Sequence, residues 1–231
     1  MIRLVVGLGN PGKQYERTRH NAGFWLVERF AQANGIVLRK DPKFKALVGK
    51  AGGEKAGVHG TWLLLPQSFM NLSGQPVQML AGFFKIKPEE VLVVHDELDF
   101  APGTVRLKQG GGIAGHNGLK DISQRLATHD YWRLRLGVGK PPAGTEGADY
   151  VLQKPPAEER AAIDAAIEKS LALMPQIIAG DMQAAMNKLH TEEPKKAEAA
   201  TQVDAQKEPE KKEPESSAEK PGLLKSLFGR K

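Results

Sequence analysis

Ile2-Arg3-Leu4-Val5-Val6-Gly7-Leu8-Gly9-Asn10-Pro11-Gly12 stands at the start of the chain. Residues 2–6 are bulky and mostly apolar, the composition of a strand, and the run stops in glycine. Downstream, Asn21 precedes an amphipathic segment from Ala22 to about Asn34, with Phe24, Val27, Phe30 and Ala31 on one face at helical spacing. A strand followed by a helix is the opening of an α/β fold. The glycines also fit the G-x-G-x-x-G pattern of dinucleotide-binding proteins, in which the helix begins inside the glycine loop and its first N–H groups hold pyrophosphate. Here Pro11 interrupts the loop and residues 13–20 are polar and without period, so the helix starts about ten residues too late for that contact. Turn formation accounts for Gly7 and Gly12 and leaves Asn10 unexplained.

Working outward, Thr61–Leu65 and Val91–His95 are short, continuous apolar runs of the kind found in strands covered on both faces. Residues 104–108 and 133–138 alternate in the manner of strands, and Val77, Leu80, Ala81 and Phe84 predict a helix over 73–85. A further helix is expected over 117–126, and from Ala157 the body is helical, with a bend near Pro175. This alternation predicts a single-domain α/β three-layer sandwich whose central sheet is mixed, mostly parallel and twisted, with helices flanking it. Such sheets place functional groups beyond the C-terminal ends of their strands. Asn10, Asn71 and Asp96 follow three of the strands, and Asn117 lies beyond the glycine-rich loop after 104–108.

Of 231 residues none is cysteine, which removes disulfides, thiolate nucleophiles and cysteine-ligated zinc. There are 33 Lys and Arg against 27 Asp and Glu, a formal charge of +6. Residues 192–231 hold nine basic and nine acidic residues, four Pro and only five large apolar side chains, a composition that cannot supply a core. The expected organisation is a basic folded body, 1–191, followed by a disordered charged segment, 192–231, that carries no net charge. Leu223, Leu224, Leu227 and Phe228 read as a few sticky positions in that solvated segment. No apolar run approaches the roughly 18–20 residues that cross a bilayer, and glycine enters the N-terminal stretch too soon for a signal peptide. A soluble, cytoplasmic protein without membrane contact is expected, and its basic body suits an anionic partner such as nucleic acid.

His20 stands at the entry to the first helix, outside its apolar face. An imidazole there can act as a general base if a carboxylate holds its other ring nitrogen. Asp96 is the carboxylate expected, because it leaves a buried strand where an unpaired charge is costly, although a structural cap accounts for Asp96 alone equally well. His95-Asp96-Glu97-Leu98-Asp99 has the residue types of a metal cluster, but neighbours on an extended chain point to opposite faces, so His95 and Asp96 are not expected to share an ion. No G-x-S-x-G elbow supports a serine nucleophile. The glycine-rich stretch 110–118 would let backbone approach a ligand closely, and a surface loop would read the same. In 69–74, Ser73 is a candidate helix cap, while Phe69 and Met70 suit a core. Arg106 and Lys108 share one strand face, as do Arg133 and Arg135, and all four are expected to border the site and meet phosphate.

Five stretches, Gly7–Gly12, Thr18–Gly23, Phe69–Gly74, His95–Asp99 and Gly115–Asp121, follow one another as they do in bacterial peptidyl-tRNA hydrolases, and the chain resembles that family over about residues 1–190. The resemblance implies a monomeric α/β hydrolase that uses no cofactor and no metal. It would cut the ester between a peptide and the 3′-terminal ribose of tRNA, recycling peptidyl-tRNA dropped from ribosomes or held on a stalled 50S subunit. By the same resemblance His20 is the base that activates water, and Asp96 supports it. Asn10 would contact the peptide end and distinguish blocked from free aminoacyl-tRNA. Tyr15, Phe69, Met70, Asn71, His116 and Asn117 would bind the 3′ CCA end near the ester, with Asn71 the preferred oxyanion donor. Lys108 and Arg135 match the family's clamp on the tRNA 5′ phosphate. An ester is within reach of a positioned water, a base worth roughly 10²–10⁴-fold and amide donors facing the developing oxyanion. One departure concerns the family loop Gly-Gly-His-Gly-Gly-His-Asn-Gly, in which Ile113 and Ala114 here replace the first His and the following Gly; His116 and Asn117 are kept, so activity is expected to survive. The main alternative is a non-catalytic RNA-binding module using the same basic face, which would need neither a base nor its supporting acid.

Overall fold

The computed structural model of the protein describes residues 1–52 and 60–190, so the segment 192–231 lies outside the described residues. In chain order the elements are β1 (Leu4–Gly7), α1 (Ala22–Ala33), β2 (Arg39–Asp41), β3 (Ala46–Lys50), β4 (Trp62–Pro66), α2 (Gly74–Phe83), β5 (Val91–Glu97), β6 (Val105–Gln109), α3 (Asn117–Leu126), β7 (Trp132–Gly137), α4 (Gly147–Val151), α5 (Ala157–Ala179) and α6 (Met182–His190). The strands form one seven-stranded sheet in the order β2-β3-β4-β1-β5-β7-β6. The central four, β4, β1, β5 and β7, are parallel neighbours, while β3 and β6 run the other way at the flanks.

Strand side chains alternate between two cores, as period two requires. Val5, Leu63, Leu65, Leu92, Val94, Leu134 and Leu136 pack with Val27 and Phe30 of α1, Ile163 and Ile167 of α5 and Leu189 of α6. Leu4, Val6, Leu64, Val91 and Val93 pack with Val77 and Leu80 of α2 and Leu119 and Ile122 of α3. The result is the three-layer sandwich expected from the sequence. All seven residues of β5 are buried, and Asp96 is inside this strand rather than in the loop after it.

One glycine sets the approach of helix to sheet. A Cβ at Gly23 would stand 2.3 Å from the Val94 carbonyl oxygen and 2.4 Å from the Leu8 nitrogen, so only glycine lets α1 start this close to β1 and β5. The Phe24 N–H bonds the Leu8 carbonyl at 3.1 Å, and the Leu8 N–H bonds the Val94 carbonyl at 2.9 Å. The turn before α1 is thereby pinned over the end of β5.

Three features depart from the sequence reading. The β2–β3 hairpin gives no apolar signal, because β2 reads Arg-Lys-Asp on a solvated edge. Helix α4 is a single short turn-and-a-half between loops, below the length at which periodicity is legible. Helix α5 runs on through Pro175, as the helical reading of this stretch has it, and stops at Gly180, in the left-handed region at φ 96°. Strand β6 is antiparallel to β7, so its C-terminal end lies at the opposite edge of the sheet from those of β1, β4 and β5. The glycine-rich loop must therefore travel back to bring His116 and Asn117 to the site.

Candidate active site

The turn Arg19–Asn21 carries His20 to the end of β5, where its Nδ1 lies 2.9 and 3.0 Å from the two carboxylate oxygens of Asp96. Asp96 is 3% exposed, and a buried carboxylate needs partners. It has a second one in His116, whose Nε2 lies 3.1 Å from Oδ1. The opposite nitrogen of His116, Nδ1, caps α3 by accepting the N–H groups of Gly118 and Leu119 at 3.1 and 3.4 Å. A ring nitrogen that accepts carries no proton, so the His116 proton sits on Nε2 and is donated to Asp96. His20 likewise donates from Nδ1, which leaves its Nε2 without a partner among the described residues.

The electrostatics follow from this arrangement. Burial alone would lower the His20 pKa, but the charge and hydrogen bond of Asp96 outweigh it and hold the imidazole above its ordinary value. Burial would raise the Asp96 carboxyl, yet the two imidazoles together hold it well below the usual carboxylate range. His95 takes no part in this cluster. It bonds the main-chain carbonyl of Asp96 through Nδ1 at 2.6 Å, and burial, reinforced by the nearby His116, pushes its pKa far down, so it is neutral. Among the described residues the group with metal-type ligand atoms in mutual reach is His20, Asp96 and His116, within 4.8 Å of one another, and not the adjacent pair His95 and Asp96. Both imidazoles of that group spend their facing protons on the carboxylate.

Asn10 is fixed from two sides. Its N–H donates to Asn21 Oδ1 at 2.9 Å, and its carbonyl accepts from Asn21 Nδ2 at 3.0 Å. Its own Oδ1 accepts the Met70 N–H at 2.7 Å, which leaves Nδ2, a donor, without a partner among the described residues. Asn71 and Asn117 are exposed, and neither side chain has a protein hydrogen-bond partner among the described residues. Tyr15 and Phe69 meet edge to face with ring centroids 6.4 Å apart, and Phe69 is 56% exposed.

A cavity of about 400 Å³ gathers these groups: Asn10, Tyr15, His20, Phe69, Met70, Asn71, Asp96, His116 and Asn117 all line it. Apart from Glu97, its remaining wall is apolar and includes Ile113 and Ala114 of the glycine-rich loop and Leu98, Val151 and Leu152 at the ends of β5 and α4. Sequence reasoning missed the α4 part of this wall, since α4 is too short to signal itself. It also missed Asn21, present in the quoted motif but read as a helix lead, and Asp121, whose Oδ2 takes the Gly74 N–H at 2.6 Å and caps α2 in place of the Ser73 side chain.

The basic residues divide. Lys108 is exposed on β6, and neither it nor Arg135 lines the cavity. Arg135 is paired with Glu97 through Nε and a terminal nitrogen, each at 3.0 Å, and lies 4.4 Å from the Phe100 ring. Arg106 bonds the His190 carbonyl at 3.3 Å. The expectation that Arg133 meets phosphate is overturned: it is 2% exposed and donates to the carbonyls of Gly112, at 2.8 Å, and Gly110. Its guanidinium holds the glycine-rich loop instead.

What the cluster can do chemically is limited and clear. A neutral Nε2 on His20, backed by a buried carboxylate, can take a proton from water, and the free amide donors around it can receive an oxyanion and a peptide carbonyl. The family model for peptidyl-tRNA hydrolase matches residues 4–198. The peptidyl-tRNA hydrolase of Thiobacillus denitrificans (strain ATCC 25259 / T1) is 55% identical over 190 residues, 82% of this chain and 90% of its own length. That of Methylococcus capsulatus (strain ATCC 33009 / NCIMB 11132 / Bath) is 52% identical over 190 residues, 82% of this chain and all of its own. Among solved structures, peptidyl-tRNA hydrolase from Acinetobacter baumannii superposes with a TM-score of 0.78 at 45% identity, covering 82% of this chain and 95% of that one.

Proposed function

This chain belongs to the peptidyl-tRNA hydrolase family and releases the peptide from peptidyl-tRNA, and we propose the following assignment of its residues. His20 Nε2 takes a proton from a water poised in the cavity as the water oxygen attacks the ester carbonyl, and the tetrahedral adduct then breaks its bond to the ribose oxygen, which leaves with the proton returned by the His20 imidazolium. Asp96 accepts the His20 Nδ1 proton in a hydrogen bond, fixes the tautomer and stabilises the imidazolium that forms. Asn71 donates to the oxyanion, and Asn10 Nδ2 donates to the carbonyl of the blocked peptide end. Tyr15, Phe69, Met70, His116 and Asn117 hold the 3′ end of the tRNA around the ester. Lys108 and Arg135, at the β6–β7 edge, contact the 5′ phosphate, with Arg135 exchanging part of its pairing with Glu97.

The observation that carries this reading is the His20–Asp96 contact at 2.9 and 3.0 Å beside three carboxamides in one cavity. A binding module would have no use for a base held in one tautomer. Action as a monomer is part of this reading. The catalytic unit is 1–191, with 192–231 an appended segment. Among the described residues no helix is long and apolar enough to cross a membrane, and a cytoplasmic enzyme acting on peptidyl-tRNA dropped from ribosomes, or held on a stalled large subunit, fits that chemistry. The test is release of an N-acetylated amino acid from tRNA. Wild type should hydrolyse the blocked substrate and spare free aminoacyl-tRNA, and His20→Ala should lose roughly two or more orders of magnitude in rate. Equal rates for the variant would reject His20 as the base.

A further inference from the structure

His95 lies on β5 between Val94 and Asp96, is 1% exposed and does not line the cavity. It gives no hydrogen bond to the side chains of His20, Asp96 or His116. Its Nδ1 donates instead to the main-chain carbonyl of Asp96 at 2.6 Å, and its ring meets that of His116 nearly at right angles, with centroids 5.1 Å apart. With Nδ1 protonated and the imidazole neutral, Nε2 is an acceptor, and this buried atom has no partner among the described residues. A buried acceptor left unpaired costs stability, so packing alone would be served better by an apolar side chain.

The histidine answers to the way the ladder between β1 and β5 ends. Along β5 the backbone groups turn alternately to β1 and to β7. The Val94 carbonyl faces β1 and accepts the Leu8 N–H at 2.9 Å, and the Glu97 carbonyl faces β7 and accepts the Val138 N–H at 3.0 Å. The Asp96 carbonyl, two residues on from Val94, turns to the β1 side again, and the donor two residues on from Leu8 is Asn10. That N–H is already given to Asn21 Oδ1 at 2.9 Å, in one of the bonds that fix Asn10. The ladder therefore stops one rung short of the residue whose carboxylate stands between two imidazoles, and a buried carbonyl there needs another donor. We propose that His95 is a positioning residue for the hydrolysis: its Nδ1–H supplies the missing rung and fixes the backbone of Asp96, and with it the carboxylate on His20. This rests on the reading of His20 as the base and Asp96 as its support. Without the bond Asp96 shifts against His20, its hold on the imidazole proton weakens, and burial, which lowers the His20 pKa, prevails.

The pair His95→Asn and His95→Leu tests this, because the two side chains are close in size and only the asparagine amide can donate from the position of Nδ1. Both leave similar space where the ring stood against His116. Hydrolysis of N-acetyl-aminoacyl-tRNA is followed across pH, well below the melting temperature of each variant, so that partial unfolding does not enter. His95→Asn should keep most of the wild-type kcat and leave the rise of rate with pH in place. His95→Leu should lose about ten- to a hundredfold in kcat, the scale of a small misplacement of a catalytic group, with KM unchanged and the rise moved to lower pH. If His95→Leu does not fold, His95→Phe, which fills the space of the ring without a donor, takes its place with the same expectations. A donor-free variant with the kcat and pH profile of His95→Asn, or a His95→Asn enzyme as impaired as the donor-free one, overturns the proposal and leaves the active-site reading standing. A wild-type rate in His20→Ala would instead overturn that reading, and this inference with it.

Discussion

Asn10 Oδ1 accepts the backbone N–H of Met70 at 2.7 Å, and this bond joins the loop after β1 to the turn after β4. The same bond decides which end of the Asn10 amide faces substrate, because an oxygen used on Met70 leaves the NH₂ group for the peptide. Asn10→Asp should keep the tether, since a carboxylate accepts equally well, and replace the donor by a charged acceptor. Melting should be near wild type, while kcat/KM for N-acetyl-aminoacyl-tRNA should fall by roughly tenfold or more, the value of one hydrogen bond in a site where its loss leaves a group unpaired. A variant with full activity would show that Nδ2 makes no productive contact.

The pH dependence follows from the sign of the His20 shift. The base works without its proton, so the rate should rise with pH and level off above an imidazole pKa that Asp96 holds higher than usual. Asp96→Asn removes the charge that raises this pKa and leaves the burial that lowers it. The rise should therefore move to lower pH, and the plateau should fall by roughly 10²-fold or more, because the amide can present N–H to Nδ1 and select the wrong tautomer. A rise that stays in place would mean that the limb reports another group.

His116 serves two structures at once, the α3 cap through Nδ1 and Asp96 through Nε2. These roles separate by substitution. His116→Asn retains a good capping side chain and loses the proton given to Asp96, so it should lower kcat with little change in melting. His116→Ala should lower both, with about 1 kcal/mol of stability lost with the cap. Identical melting for the two variants would remove the cap assignment.

Arg133 holds the carbonyls of Gly110 and Gly112 from a position that is 2% exposed. Arg133→Met fills much of the same volume and leaves these carbonyls and the loop without their anchor. Chemical denaturation should show a loss of about 1–3 kcal/mol, and KM should rise more than kcat falls, since the loop carries His116 and Asn117. Wild-type stability would mean that water replaces the guanidinium without cost.

Lys108, exposed and outside the cavity, should affect tRNA binding and leave the chemistry alone. Lys108→Ala should weaken binding of deacylated tRNA and reduce the slope of log affinity against log salt by about one. An unchanged slope would remove this lysine from the phosphate contact.

The sequence by itself determined the layers and much of the cavity. Residues 2–6 and 91–95 read as strands, Phe24, Val27 and Phe30 marked the buried face of the first helix, His20 and Asp96 stood out by their chemistry, and the other site residues from Asn10 to Asn117 were legible through the resemblance of five stretches to one family. Local pattern carries such information, since a period of two or 3.6 is written in consecutive residues. The direction of β6, the wall supplied by α4, the capping of α2 by Asp121 and the burial of Arg133 were decided only by tertiary structure. Each depends on which distant backbone lies beside a residue, and Arg133 looks the same on a solvated strand as on one whose guanidinium is enclosed by a returning loop. His20 and Asp96 meet for the same kind of reason: Gly23 brings α1 against β5, and the contact belongs to the packing of those two elements rather than to either stretch alone.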